Sequence, residues 1–312
     1  MIIDAHCHLW GPTVPCESWF EALVKTGVAA SGSDEDSVRE AIKNGQMDLS
    51  GDLLVADMDE AGIDKSIIFP LDFGLHAGTG EAVSLEEQHE IFAKAVDRHP
   101  GRLIAWAGVN PRRPNAAKFV ERAIREWDMK GLKLHPCIGE FYPNENYVYP
   151  VYEKCLELNV PVTIHTGPEA SPHHGKFALP IFVEEVADDF PQLTIILAHA
   201  GMCWWEEAAA VAAVRPNVYL DIAYWQVKCL SRPVWGFYYQ LRTLMDSVGV
   251  HKVLFGSDWP ACRLIRRVNA VNWIKAIRQP PDVIKTMGIE FKPGEINALL
   301  GDNAVKLFGI RQ

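Results

Sequence analysis

The stretch Ile2-Ile3-Asp4-Ala5-His6-Cys7-His8 decides the fold, because an apolar, β-branched run ends here in two imidazoles. Side chains alternate faces along a strand, so His6 and His8 point the same way while Cys7 points opposite. Two neutral imidazoles converging on one point are favoured ligands for zinc and similar ions. On its own the pair reads equally well as two hydrogen-bonded core histidines. Cys7, turned to the other face, reads as a structural thiol.

Residues 2–5 are the first of eight short apolar runs, followed by 66–70, 103–109, 131–134, 161–164, 193–198, 218–222 and 253–256. Between them, segments such as 86–98, 116–127, 149–158 and 177–190 carry apolar residues at helical spacing. Strands alternating with helices predict a parallel sheet with crossover helices. An open doubly wound sheet shares that pattern. The chemistry separates the two: His165 ends the fifth run, His199 the sixth and Asp258 the eighth, each followed by a glycine or proline turn. Those carboxyl ends, with His6 and His8, converge on one mouth only if the sheet closes. The expectation is an α/β chain folded as a (β/α)8 TIM barrel, one domain over residues 1–312. Long loop insertions follow the first and second strands, over residues 11–50 and 72–84, and segments 263–279 and 293–308 read as outer helices.

Composition narrows the function. Hydrophobic residues at 48% and charged residues at 22% suit a compact soluble protein. A net charge of -10 argues against a nucleic-acid partner, which would need clustered Lys and Arg. Seven cysteines without a CxxC pair read as reduced thiols. The N-terminal apolar start is broken at once by Asp4 and His6, so neither a signal peptide nor a membrane span is expected. A cytoplasmic enzyme acting on a small molecule follows, with no membrane or nucleic-acid partner and with homo-oligomers left open.

A strand-one HxH, lone histidines ending strands five and six, and a strand-eight aspartate together resemble the amidohydrolase superfamily. The phrases IDAHCHL, GLKLHP, IHTG, LAHAG and FGSDWP, in order along nearly the whole chain, resemble its amidohydrolase-2 branch of hydrolases, lactonases and non-oxidative decarboxylases. The resemblance implies that His6, His8, His165 and Asp258 bind one divalent metal, zinc first and manganese next, and that His199 acts on substrate or on bound water. An ion in such a site lowers the pKa of its water towards ~7. Lys133 and His135 share a face of the fourth strand. Binuclear relatives carry a carboxylated lysine there, so a second metal on Lys133, His165 and His199 is the alternative to an ordinary ammonium paired with Asp4 or Glu140.

Softer candidates for substrate or supporting contacts are His135, Asp221, Tyr224 and Trp10. Asp221 would steer a metal-binding histidine or satisfy a backbone amide. Trp10, Trp259 and Phe141 would line the pocket or simply pack, and His76, His173 and His174 read as solvated loop histidines. Arg112 and Arg113 would grip a carboxylate, and Glu140 and Arg263 would meet a charged substrate or the surface. The leading functional expectation is hydrolysis of an ester, lactone or amide. Its rival is non-oxidative decarboxylation of an unsaturated or aromatic acid, with hydration of an unsaturated diacid third. A non-catalytic metal-bound scaffold is the remote alternative.

Overall fold

The computed structural model describes residues 1–11, 14, 17–75, 83–231, 234–264 and 269–311. Its strands are β1 Ile3–Cys7, β2 Lys65–Ile68, β3 Leu103–Ala105, β4 Ala107–Gly108, β5 Leu132–Leu134, β6 Val162–His165, β7 Ile195–Ala198, β8 Val218–Asp221 and β9 Val253–Leu254. Every neighbouring pair is parallel. All eight expected runs are present. The third divides at Trp106: β3 pairs with β2, then the Ala107 N–H turns to donate to Gly131 O at 2.8 Å and β4 pairs with β5. Gly131 is required there, since a Cβ would lie 2.3 Å from the Trp106 ring.

The sheet closes into a barrel between β9 and β1. Ala5 N donates to Phe255 O (2.9 Å), Asp258 N to His6 O (2.9 Å) and His8 N to Trp259 O (2.6 Å). Inside, Ile3, Ala5, Ile67, Phe69, Trp106, Ile196 and Leu254 pack as one buried cluster. Outside, a larger apolar layer joins alternate strand residues such as Ile68, Leu134 and Phe255 to the helices. That division follows from the two-residue period of a sheet buried on both faces.

β1 breaks the period once. Its register against β2 runs Asp4↔Ser66 and then Cys7↔Ile68, so one extra residue bulges between them. His6 and His8 therefore face the barrel interior, while Asp4 turns outward with Cys7. This corrects the expected Asp4 partnership with Lys133. Asp4 Oδ1 instead accepts from Ser257 N (2.9 Å) and His6 N (3.2 Å).

The insertion after β1 is not an open loop. It holds two helices, Glu17–Ser31 and Glu35–Gln46, the second capped by Asp34 accepting from Ser37 N and anchored by buried Ile42. In the region after β2, residues 76–82, and with them His76, lie outside the described residues. The segment expected as a helix over 177–190 is a 3-10 turn at Gly175–Ala178 and, after Pro180, an α-helix over Phe182–Asp189. The outer helices form at Ala270–Arg278 and, with a π turn at Ala298–Asp302, across Pro293–Asn297 and Asn303–Phe308. Among the described residues no helix is long and apolar enough to cross a membrane.

A buried histidine links this architecture to pH. His89, in the helix Leu85–Arg98, bonds Leu85 O through Nδ1 (2.8 Å) and accepts from Gly108 N through Nε2 (3.0 Å). Burial depresses its pKa from 6.5 to about 4. The folded state thus holds the neutral ring. Its stabilising contribution is complete above pH 6.5 and is lost as pH falls towards 4. Denaturant titrations should show about 3 kcal/mol of pH-dependent stability missing in His89→Gln across that window. Identical slopes for the two proteins would refute the assignment.

Candidate active site

The strand ends gather five histidines, one lysine and two aspartates at one mouth. His6, from the bulged end of β1, bonds Asp221 Oδ2 through Nδ1 at 2.9 Å. Its Nε2 lies 3.6 Å from Asp258 Oδ1, and His8 Nε2 lies 3.5 Å from the same oxygen. His8 Nδ1 is tied to Phe69 O (3.0 Å). His199 Nδ1 bonds Ala223 O (3.2 Å), and its Nε2 meets His165 Nδ1 (3.1 Å). Lys133 Nζ points at His6 Nε2 from 3.1 Å.

Backbone geometry serves these placements. His199 (φ 59°), Tyr224 (φ 67°) and Asp258 (φ 56°) all sit in the left-handed region, within a few residues of the ends of β7, β8 and β9. Non-glycine residues adopt it at a cost, and such strain concentrates at functional sites. Gly256 lets β9 run close to the centre, since a Cβ there would meet His6 Cβ at 3.0 Å and Ala223 Cβ at 2.9 Å. Asp221 couples two strands: besides His6, it accepts from the backbone N–H of His199 (2.9 Å) and Ala223 (3.0 Å). Steering a histidine and satisfying amides, which the sequence offered as alternatives, are both done by one carboxylate.

Burial sets the charge states. The pKa values of His6, His165 and His135 fall well below the ordinary value, chiefly through desolvation and secondarily through neighbouring Lys133 or histidines. His199 is lowered too, again by burial. Burial alone would raise Asp258, but the hydrogen bond from His8 and the surrounding imidazoles hold it well below the carboxylate range. Desolvation pushes Lys133 down to about 8, against the pull of Asp221, Asp258 and Glu169. At neutral pH His6, His135, His165 and His199 are thus neutral beside an ionised Asp258.

That donor set fits a divalent ion. With Nδ1 committed to Asp221, His6 presents an Nε2 lone pair, which already attracts the Lys133 ammonium. His165 Nε2 is buried and has no hydrogen-bond partner. An orphaned buried acceptor is costly unless a ligand meets it. The ligand atoms of His6, His199 and Asp258 lie within 4.8 Å of one another, and those of His135, His165 and Glu169 form a second group of the same size. Of the four expected ligands, His6 and Asp258 fall in the first group, together with His199; His8 meets Asp258 at 3.5 Å but joins neither group, and His165 falls in the second with His135 and Glu169.

Glu169 escaped sequence reading. Its Oε2 lies 3.4 Å from His135 Nε2, and the His135 ring stacks on His165 at 3.9 Å. The available signal was a carboxylate shortly after the strand-end His165. Lys133 lies over the Phe69 ring at 5.1 Å and meets neither Asp4 nor Glu140 within ion-pair distance. Trp10 packs against Trp19 (4.5 Å) in an apolar canopy with Leu71, Phe73 and Ile138. Tyr224 is half-buried beside the centre, whereas Trp259 and Phe141 belong to the outer core. His173 is buried rather than solvated, 6.0 Å from the Phe73 ring, and His174 is exposed. Arg113 forks onto Asp72 at 2.7 and 2.8 Å, Arg112 reaches Glu140 at 3.9 Å, and Arg263 lies 3.5 Å from Asp57.

The amidohydrolase family profile matches residues 3–310. A 2-keto-4-carboxy-3-hexenedioate hydratase from Sphingobium sp. strain SYK-6 is 26% identical over 294 residues, covering 83% of each chain. A 5-carboxyvanillate decarboxylase from Novosphingobium aromaticivorans, complexed with manganese and 4-hydroxy-3-methoxy-5-nitrobenzoic acid, superposes with a TM-score of 0.65. It is 18% identical, over 99% of this chain and 96% of its own. A probable 2-pyrone-4,6-dicarboxylic acid hydrolase from Acinetobacter baumannii superposes with a TM-score of 0.63 at 15% identity, over 99% of each chain. The closed barrel, the strand-end histidines and the match over residues 3–310 lead to one conclusion: the chain belongs to the amidohydrolase family, in its amidohydrolase-2 branch, and is an enzyme.

Proposed function

We propose that this enzyme directs water onto an electrophilic carbon of a small carboxylic-acid derivative, an ester, lactone or amide, with one divalent ion held by His6, His8, His165 and Asp258. The observation that carries the reading is the Asp221 to His6 bond, which fixes the His6 tautomer and leaves Nε2 as an acceptor beside an ionised Asp258. When bound, such an ion supplies Lewis acidity and makes water a nucleophile at neutral pH. Zinc suits the imidazoles, and the carboxylate admits manganese.

The chain's own residues do the rest. Burial keeps His199 neutral, so its ring can take up a proton, with Nδ1 anchored on Ala223 O and the amide held by Asp221. Lys133 brings a positive charge into the centre, where it can meet a substrate carboxylate or developing oxyanion. The canopy of Trp10, Trp19, Leu71 and Phe73 excludes water from one side of the mouth. Lys133 also favours a second reading, decarboxylation of an unsaturated or aromatic acid, because a buried ammonium suits a carboxylate that must be gripped. The hydratase relative adds water, as the leading reading does.

Turnover in oxygen-18 water separates them. A screen of lactones, esters, amides and hydroxybenzoates should yield an organic product carrying the heavy oxygen. Release of carbon dioxide with no label in the organic product would establish the decarboxylase reading instead. Metal analysis should find about one divalent equivalent, lost in His6→Ala and His165→Ala; full retention in both would remove them as ligands. Asp221→Asn should weaken metal affinity by about 10–100-fold, as expected for a residue that orients a ligand. His199→Asn should retain metal while turnover falls by roughly two to four orders of magnitude. Undiminished turnover would reduce His199 to packing.

A further inference from the structure

At the opposite end of the barrel, the C-terminal segment after Asn303–Phe308 runs across the strand starts and leaves a cleft of about 800 Å³. That volume lies in the range of small-molecule sites. Its apolar lining includes Ile104, Trp106, Phe308 and Ile310, and Trp106 meets Phe308 edge-on at 5.2 Å. Among the described residues its charged lining is Lys65, Lys130, Lys306 and Arg311 against a single acid, Asp128. Asp128 is engaged by Lys130, and Lys65 Nζ donates to Gly101 O (2.9 Å). Lys306 and Arg311 have no carboxylate partner among the described residues. In a chain of net charge -10, this concentration of unpaired positive charge around an apolar hollow is selective.

We propose that this cleft is a second ligand site, which takes a small organic anion: an apolar body against Ile104, Phe308 and Ile310, with its carboxylate between Lys306 and Arg311. The site is separate from the catalytic mouth and independent of which reaction occurs there. The two ends are nonetheless in physical contact through a chain of edge-to-face rings. Phe308 touches Trp106, Trp106 touches Phe69 (5.4 Å), and Phe69 touches His6 (5.0 Å).

Calorimetric titration of the metal-loaded enzyme with octanoate tests the site, with octylammonium as the probe of opposite charge. Octanoate should bind with one equivalent per chain, and octylammonium at least ten-fold more weakly. The double variant Lys306→Glu, Arg311→Glu, at two exposed positions, should weaken octanoate at least ten-fold. Lys275→Glu, Lys285→Glu carries the same change in net charge on another face and should bind as the wild type does. Absence of octanoate binding would overturn the proposal. So would equal affinity in the Lys306, Arg311 variant, which would locate the anion at the mouth, or equal weakening in the control variant, which would reduce the effect to net charge. Melting curves for both variants establish that each remains folded.

Discussion

Closure of the sheet between β9 and β1 is the constraint on which the site depends. The bonds from Asp258 N to His6 O and from His8 N to Trp259 O draw the first and last strand ends together. Asp4 Oδ1 reinforces them from outside the barrel by accepting from both Ser257 N and His6 N. Residues about 250 positions apart in sequence are thereby held within hydrogen-bond reach. The bulge in β1 is part of the same device. It lets Asp4 face the outer layer as a brace while His6 and His8 face the centre.

Once closed, the mouth concentrates groups that burial alone would not tolerate. Lys133, Asp221, His6, His8, His165 and His199 are buried together, with half-buried Asp258 and His135 beside them, and such groups are tolerated there because they partner one another. Asp221 is raised by burial and drawn back by His199, Lys133 and two amides. Lys133 loses basicity to desolvation and regains part of it from carboxylates. The arrangement keeps His6, His165 and His199 neutral and Asp258 charged, which is the protonation state that a divalent cation selects. Structure, electrostatics and the proposed chemistry therefore rest on the same few contacts.

Much of this was legible in the sequence. The strands announced themselves as β-branched runs, and His165, His199 and Asp258 marked their carboxyl ends. Strand periodicity placed His6 and His8 on one face and Cys7 on the other. The same periodicity misplaced Asp4, because a bulge leaves no signature in a single run of seven residues. Trp106, which splits the third run, was equally invisible. The helices inside residues 11–50 could have been read from the Asp34 cap and the acids after it. Glu169 and His173 are loop residues whose neighbours come from other strand ends, so only the folded chain reveals that the first faces His135 and the second is buried. The pairing of Lys133 with His6 rather than a carboxylate was likewise a matter of three-dimensional register.

The central claim is that His6, His8, His165 and Asp258 hold the ion while His199, although its ring lies 4.7 Å from that of His6, stays off it. X-ray absorption at the metal edge, on wild type and His199→Asn side by side, measures this directly. The account predicts three imidazole ligands in both proteins. A wild-type count that falls by one imidazole in His199→Asn would contradict it and make His199 a ligand.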